Sequence, residues 1–130
     1  MSFQCTIVTP EQQAFDASVS QVILPAYDGQ LGVLSGRAPL LAKLGAGTLR
    51  IDAAGGTRYF FVDGGVAQMK DNKLTVLTNE ATEAADIDAE SARAEYAEAA
   101  ARRATDPKAA EDREQQMSRA RAKQAVAGMK

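Results

Sequence analysis

The character of the sequence changes abruptly after Asn79, and this change most constrains how the chain folds. Before Asn79, short alternating or apolar runs are separated by turn residues, a pattern typical of antiparallel strands. After Asn79 no glycine occurs until Gly128, alanine dominates, and Tyr96 is the only aromatic residue. Such a composition is typical of α-helices. We therefore expect a β-sandwich domain over residues 1–80 and a helical hairpin over residues 81–130.

The pattern before Asn79 predicts an antiparallel sandwich or barrel built from eight short strands. Three segments carry residues that favour tight reversals, namely Ala54-Gly55-Gly56, Asp63-Gly64-Gly65 and Asp71-Asn72. We expect each of them to join two neighbouring strands, so that a meander of hairpins results. The predicted strands cover residues 3–9, 13–16, 19–25, 31–34, 48–52, 57–62, 66–70 and 73–78.

The second part predicts two helices that lie antiparallel. The first is expected over residues 87–104 with Asp86 or Asp88 as its cap, and the second over residues 107–127 with Asp106 as its cap. Because only a few residues join them, the helices must pack against each other as a hairpin.

The facing surfaces of the two helices consist mainly of small side chains. Alanine buries little area, so at about 25 cal/mol per Å² the contact is weak, and helices of this length are marginal alone. We expect the hairpin to dock on something larger, either as a mobile arm or as a permanent extension of the sandwich core. The predicted contact residues are Ala89, Ala92, Tyr96, Ala99 and Ala100 in the first helix, and Ala110, Met117, Ala120 and Ala127 in the second.

The composition excludes most kinds of active site. The chain has no histidine and a single cysteine, Cys5, so it lacks the usual soft metal ligands and the commonest general base. We expect no metal, no cofactor and no catalytic residue, and Cys5 is interpreted as a buried structural thiol. An enzyme using paired carboxylates such as Asp52 and Asp63 would require both to converge in one cleft, for which the sequence offers no support.

Charge and hydropathy also restrict the partners. The net charge of −2 gives no indication of a nucleic-acid partner. No apolar run approaches the roughly 18 residues needed to cross a bilayer, and the first residues lack the features of a signal peptide. The sequence therefore predicts a chain of cytosolic character that does not insert directly into a membrane.

The segment over residues 24–41 is rich in glycine and proline. It does not have the order of strand, glycine loop, lysine and helix that a phosphate-binding loop requires. Residues 36–39 predict a constrained loop that bears Arg37 and the apolar pair Leu40 and Leu41. One arginine beside two leucines is typical of a protein interface, and a plain structural corner is the alternative interpretation.

The order of these segments resembles the epsilon subunits of F-type ATP synthases. No single piece is diagnostic, but their order and spacing specify that family over nearly the whole chain. The matching pieces are Asp-Gly-Gln-Leu-Gly-Val-Leu at 28–34, Gly-Arg-Ala-Pro-Leu at 36–40, Gly-Thr-Leu-Arg-Ile at 47–51, Phe-Val-Asp-Gly-Gly-Val-Ala at 61–67, Leu-Thr-Val-Leu at 74–77 and Ile-Asp at 87–88.

The resemblance implies a ten-stranded β-sandwich followed by two antiparallel helices, in a noncatalytic subunit of the central rotor stalk. Such a subunit binds the gamma subunit, is seated on the ring of c subunits and couples proton translocation to ATP synthesis. It would act on the cytoplasmic side of the cell inner membrane as a peripheral part of the complex. Its helices would be able to inhibit ATP hydrolysis.

The resemblance also implies a c-ring interface formed by Gln30, Arg37, Leu40 and Leu41. The sequence departs from the family pattern twice, because Gln30 stands where an acid is common and Arg37 where histidine is common. Any polar contact at these positions must therefore use an amide and a permanent cation.

Two further features of the helices follow from the resemblance. The cations of the second helix, Arg113, Arg119, Arg121 and Lys123, would contact acidic loops of the alpha and beta catalytic subunits. The alternative is a solvated face, to which Lys130 also belongs. In the family's ATP-binding motif Ser91 replaces an arginine, so Asp88 and Arg93 are weak candidates for ATP binding and we expect that binding to be poor.

A second class of function stays open. In this alternative the chain is a free-standing ligand sensor, whose sandwich holds a small molecule under a helical lid. The expected pocket would be lined by Tyr27, Arg58 or Tyr59.

Overall fold

The computed structural model describes residues 2–103 and 105–128, so Ala104 and Lys130 of the sequence predictions lie outside the described residues. A short 3₁₀ turn at Ala84–Asp86 joins the strands to the helices. The elements are β1 (Phe3–Val8), β2 (Gln13–Val19), β3 (Gln21–Ala26), β4 (Gly29–Leu34), β5 (Leu40–Ala53), β6 (Gly56–Lys70), β7 (Lys73–Leu77), β8 (Ala81–Glu83), α1 (Ala89–Ala101) and α2 (Pro107–Ala127).

The strands form a sandwich in which β5 and β6 belong to both layers. One layer joins β2, β1 and β7 to the end of β6 and the start of β5. The other layer joins β8 to the start of β6, the end of β5, β3 and β4. Because β5 has 14 residues and β6 has 15, each is long enough to serve two layers. The predicted β-sandwich followed by a helical hairpin is confirmed.

The predicted reversal at Asp63-Gly64-Gly65 is wrong, because these residues lie inside β6. Gly64 and Gly65 have φ values of 70° and 106°, which distort the strand without ending it. A side chain at Gly65 would overlap the carbonyl oxygen of Leu77 in the neighbouring strand β7. The glycine pair therefore permits a close approach of two strands, and the separate strands predicted at 57–62 and 66–70 are one.

Other boundaries also differ from the prediction. Leu40 and Leu41 begin β5 instead of belonging to a loop, because residues 40–44 find hydrogen-bonding partners on the distant end of β6. The short strand β8 pairs with residues 60–62 of β6 and was not predicted. The turns at Ala54-Gly55-Gly56 and Asp71-Asn72 are confirmed, the latter with both residues at positive φ.

The main core lies between the two layers and follows the alternation of each strand. Phe60 and Val62 of β6 point into it, together with Ile7 and Leu49, and all four are buried. Cys5 is fully buried there, and burial raises the pKa of its thiol to about 12, as expected for a structural cysteine.

The helical hairpin begins and turns at capped positions. The Asp88 carboxylate accepts a hydrogen bond from the Glu90 amide, and the Asp106 carboxylate accepts one from the Ala109 amide. Helix α1 ends at Ala101, before the predicted Ala104, because Arg102 adopts an extended backbone. Among the described residues, neither helix is both long enough and apolar enough to span a membrane.

Helix α2 lies against β5 and β6, so the hairpin is docked on the sandwich. Its contact is a second apolar cluster, separate from the main core. Phe61 occupies the centre because it points away from the main core, opposite to its neighbours in β6. The other buried members are Ala84, Ile87, Val126 and Ala127.

Candidate functional sites

The first candidate site is a groove beside the turn between β3 and β4. It has a volume of about 640 Å³, and its walls come from that turn and from the start of β5. Leu41 is 73% exposed there, whereas Leu40 packs partly against the core. The structure thus brings together three of the predicted interface residues, Gln30, Leu40 and Leu41.

Arg37 lies on the loop that leads into β5 and does not line this groove. Its amide donates a hydrogen bond to the Leu34 carbonyl oxygen at 3.2 Å, which fixes the loop backbone. Its guanidinium forms no ion pair with any residue in the described parts of the chain. The loop therefore presents an uncompensated cation next to exposed Leu34.

Sequence reasoning did not include Tyr27 among the interface residues. This side chain is 74% exposed and lines the groove, with the Lys43 ammonium 4.9 Å from its ring centroid. The signal in the sequence was a tyrosine next to the Asp28-Gly29 turn, inside the segment over residues 24–41. Because tyrosine is enriched at protein interfaces, this position could have been predicted as an interface residue.

The second candidate site is the set of cations on α2, which the structure divides into two pairs. Arg113 and Arg121 contact α1: the former donates to the Ala100 carbonyl oxygen at 2.9 Å, and the latter lies 5.6 Å from the Tyr96 ring centroid. Both contacts join the two helices of the hairpin to each other.

The other two cations contact the sandwich. The Arg119 guanidinium lies 3.2 Å from an Asp63 carboxylate oxygen. The Lys123 ammonium lies 3.3 Å from the Glu80 carboxylate and 3.5 Å from that of Glu95 on α1, and its side chain is only 18% exposed. These contacts tie α2 to the strands as well as to α1.

The third candidate site is a cleft of about 440 Å³ between the sandwich edge and the start of α1. Lys123 is the only cation among the residues described as lining it. Five carboxylates surround it, those of Glu11, Glu80, Asp86, Asp88 and Glu95. A highly charged anion would meet a strongly unfavourable potential in this cleft.

The two weak candidates for ATP binding are not brought together. Asp88 lines the cleft and accepts a hydrogen bond from the Ser91 hydroxyl at 3.0 Å. Arg93 does not line the cleft. Its side chain is 71% exposed and pairs with Glu90 at 3.6 Å. The hydroxyl that replaces the motif's arginine is thus used to orient the helix cap.

The residues proposed for a small-molecule pocket do not converge either. Tyr59 packs in the apolar cluster under the hairpin, and Arg58 is held by Glu83 through two hydrogen bonds of 2.7 Å. The Tyr27 amide donates a hydrogen bond to the Lys43 carbonyl oxygen, and Lys43 pairs with Val66, seven residues along β6 from Tyr59. The sensor alternative is not favoured.

The carboxylates Asp52 and Asp63 are also apart. Asp52 pairs with Thr57 at the beginning of β6, whereas Asp63 lies six residues further along that strand, about 20 Å away. Asp52 is engaged by Arg50 and Asp63 by Arg119. The two acids cannot act on one substrate.

Comparison with known proteins identifies the family. Residues 2–84 match the model of the ATP synthase delta/epsilon chain β-sandwich domain. The chain belongs to the ATP synthase delta/epsilon family. This result confirms the resemblance inferred from the order of the sequence segments.

Curated relatives extend the family match into the hairpin. The ATP synthase epsilon chain of Rhodopirellula baltica is 40% identical over 121 residues, covering 93% of this chain and 94% of the relative. The ATP synthase epsilon chain of Synechococcus elongatus is 41% identical over 99 residues, covering 76% of this chain and 72% of the relative. Members of this family are chains of ATP synthase, and the prediction of a subunit instead of a free-standing enzyme is confirmed.

Solved structures share the complete fold. A chain of the Euglena gracilis mitochondrial ATP synthase, in an assembly described as OSCP/F1/c-ring, superposes with a TM-score of 0.85 at 21% identity. The match covers 99% of this chain and 82% of that one. A chain of the Tetrahymena thermophila central stalk and c-ring gives a TM-score of 0.72 at 15% identity, covering 94% and 93%.

Proposed function

We propose that this chain is the noncatalytic epsilon subunit in the rotor stalk of an F-type ATP synthase. It joins the central gamma subunit to the ring of c subunits and thereby couples proton translocation to ATP synthesis. The observation that carries this proposal is the 40% identity to an ATP synthase epsilon chain over 93% of the chain, hairpin included.

The groove beside the turn between β3 and β4 supplies the proposed contact with the c ring. Its exposed Tyr27 and Leu41 offer apolar and aromatic area, and Arg37 adds an unpaired cation on the adjoining loop. Interfaces commonly use such aromatic and arginine anchors. Gln30 contributes an amide that can donate to and accept from the partner.

The position of the subunit follows from this role. As a component of the rotor stalk it is peripheral to the membrane, on the cytoplasmic side of the cell inner membrane. The proposal assigns coupling to residues 1–80 and regulation to residues 81–130.

The hairpin is proposed as a brake on ATP hydrolysis. When it leaves the sandwich, Arg113, Arg119, Arg121 and Lys123 would reach acidic loops of the alpha and beta catalytic subunits. Opposite charges support this contact. ATP is not proposed as a ligand, because the cleft at α1 is acidic and Ser91 replaces the expected arginine.

The c-ring contact is tested by the double variant Arg37→Glu with Leu41→Ala. Removing an apolar anchor and reversing the free cation should cost about 2 kcal/mol of interface energy. We expect gamma and c subunits to be recovered with the wild-type chain in mild detergent, and fewer c subunits with the variant.

Proton pumping per ATP hydrolysed, measured in membrane vesicles, should fall in the same variant. Lys108→Glu is the control, because it reverses an exposed cation on α2 that does not line the groove. Equal pumping by the double variant and the wild type, at equal assembly, would show that the loop is only a corner of the sandwich.

A further inference from the structure

We propose that two sandwich carboxylates, Asp63 and Glu80, hold the hairpin in its docked position and thereby oppose the brake. This inference rests on the proposed function, because it concerns when the α2 cations are available to catalytic subunits. It assigns a regulatory role to acids outside the hairpin itself.

The two acids face the two cations of α2 that contact the sandwich. Arg119 reaches Asp63 at 3.2 Å and Lys123 reaches Glu80 at 3.3 Å. Arg119 and Lys123 are four residues apart, so they lie on one face of α2 and meet the sandwich together. These four side chains are called the latch below.

The acids of the latch are carried by one hydrogen-bonded unit of backbone. The Asp63 amide donates to the Thr78 hydroxyl and to the Glu80 carbonyl oxygen, both at 3.2 Å. The Asn79 side-chain amide donates to the Asp63 carbonyl oxygen at 3.2 Å. These bonds fix the segment after β7 against the distorted part of β6, so the backbone positions that carry the two carboxylates are held together.

The apolar part of the docking contact is small. Within the described part of the hairpin, the side chains that pack in the cluster around Phe61 are the buried Val126 and Ala127 and the partly buried Ala122. Lys123 covers the same ring, with its ammonium 5.4 Å from the Phe61 centroid. With so little apolar area, the ion pairs of the latch decide how often the hairpin leaves the sandwich.

The same cations cannot serve both positions of the hairpin. While Arg119 and Lys123 pair with the sandwich, they cannot pair with an acidic loop of another subunit. Arg113 and Arg121 differ, since their partners Ala100 and Tyr96 belong to α1 and move with the hairpin. The latch acids therefore compete with the catalytic subunits for two of the four brake cations.

This competition predicts opposite effects for the two sides of one ion pair. Removing the acids should free the hairpin while its cations remain, so inhibition of ATP hydrolysis should increase. Removing the cations should weaken the brake itself, so inhibition should decrease. A merely stabilising ion pair would not give effects of opposite sign.

Docking is measured first, by amide hydrogen exchange of α2 in the complete isolated chain. An undocked hairpin is marginal as a helix, so its amides exchange faster. We expect Asp63→Asn with Glu80→Gln to speed this exchange about three- to tenfold at low salt, and high salt to do the same to the wild type. The control is Glu11→Gln, which changes an exposed acid of the same cleft that forms no ion pair among the described residues. Unchanged exchange in the double variant would overturn the latch.

The regulatory consequence is measured as ATP hydrolysis by the assembled complex. We expect the Asp63→Asn and Glu80→Gln complex to hydrolyse ATP more slowly than wild type, and the Arg119→Gln and Lys123→Gln complex to hydrolyse it faster. Faster exchange with wild-type hydrolysis would overturn the competition. Deleting the hairpin separates the two failures. If ATP hydrolysis is also unchanged after the deletion, the hairpin is not a brake. If hydrolysis rises after the deletion, the hairpin is a brake and only the latch is rejected.

Discussion

At the scale of single residues, Arg58 fixes the shortest strand of the sandwich. Two of its guanidinium nitrogens donate to Glu83 of β8 at 2.7 Å, and its guanidinium lies 5.0 Å from the Phe15 ring centroid. Paired hydrogen bonds of this kind are among the stronger side-chain contacts. They lower the pKa of the Glu83 carboxyl below its ordinary value. The three residues of β8 are therefore held by side chains as well as by the strand ladder.

This ion pair predicts an acid-dependent loss of stability. Because the folded-state pKa of Glu83 is lowered, its contribution is complete above the unfolded value of about 4.3 and is lost as pH falls through the folded pKa. We expect Glu83→Gln to lower the free energy of unfolding by about 0.5–1 kcal/mol at neutral pH, since both side chains are partly exposed. Urea unfolding at pH 7 and pH 3 checks this, and the variant should approach the wild type at pH 3. A difference that stays constant with pH would contradict it.

Gly65 supplies a second test at this scale. Its φ of 106° is unfavourable for other residues, and a Cβ there would overlap Leu77 and lie 2.8 Å from the Thr78 Cα. We expect Gly65→Ala to destabilise the fold by about 3 kcal/mol or more. Gly55→Ala is the matched control, because nothing lies within 4 Å of the added methyl group. Similar unfolding midpoints for both variants would show that β6 and β7 separate easily.

At the scale of elements, the start of α1 is organised as a cap. The Asp88 carboxylate accepts from the Glu90 amide and from the Ser91 hydroxyl, both at 3.0 Å. Arg93 lies on another side of the helix, paired with Glu90. The charged residues described as lining the cleft beside the cap are five carboxylates and one lysine, so its electrostatic potential is unsuited to a triphosphate.

We therefore expect the isolated chain to bind ATP with a dissociation constant in the millimolar range or not at all. A missing arginine removes charge and paired donors that a hydroxyl cannot replace. Titration calorimetry measures this directly, with Ser91→Arg as the comparison that restores the family's side chain. Micromolar binding by the wild type would contradict the expectation and would point to cations elsewhere on the hairpin.

At the scale of the whole molecule, the sandwich and the hairpin have separate apolar clusters. The main core lies between the two layers, and in the described parts of the chain none of its buried members comes from a helix. The hairpin instead covers the outer face of β6 at Phe61. Loss of the hairpin would therefore expose Phe61 and uncover more of the partly buried Tyr59 without opening the main core.

This separation predicts the effect of removing both helices by truncation after Glu83. That boundary retains β8 and its contact with Arg58, which truncation after Thr78 would remove. We expect the sandwich to fold, ATP synthesis to persist, and ATP hydrolysis to rise because the cations of α2 are gone. Neutralising Arg113, Arg119, Arg121 and Lys123 in the complete chain should give part of that rise. Unchanged hydrolysis in both, with normal assembly, would show that the hairpin is not a brake.

The sequence by itself determined the features that depend on local chemistry. Asp106 and Pro107 placed the start of α2, since a cap and a proline at the first helical position act within one turn. Asp71 and Asn72 placed a hairpin turn because both tolerate positive φ. The family was recognisable for a similar reason, since short segments keep their order and spacing along the chain.

Only the tertiary structure decided features that depend on distant partners. Glycines at 64 and 65 are compatible with a reversal or a distorted strand, and the approach of β7 selected the strand. Leu40 and Leu41 entered β5 because residues remote in sequence pair with them. Likewise, the α2 cations divided into two pairs only when the hairpin docked against Asp63 and Glu80, because a pattern of charges along one helix does not specify which acids stand opposite it.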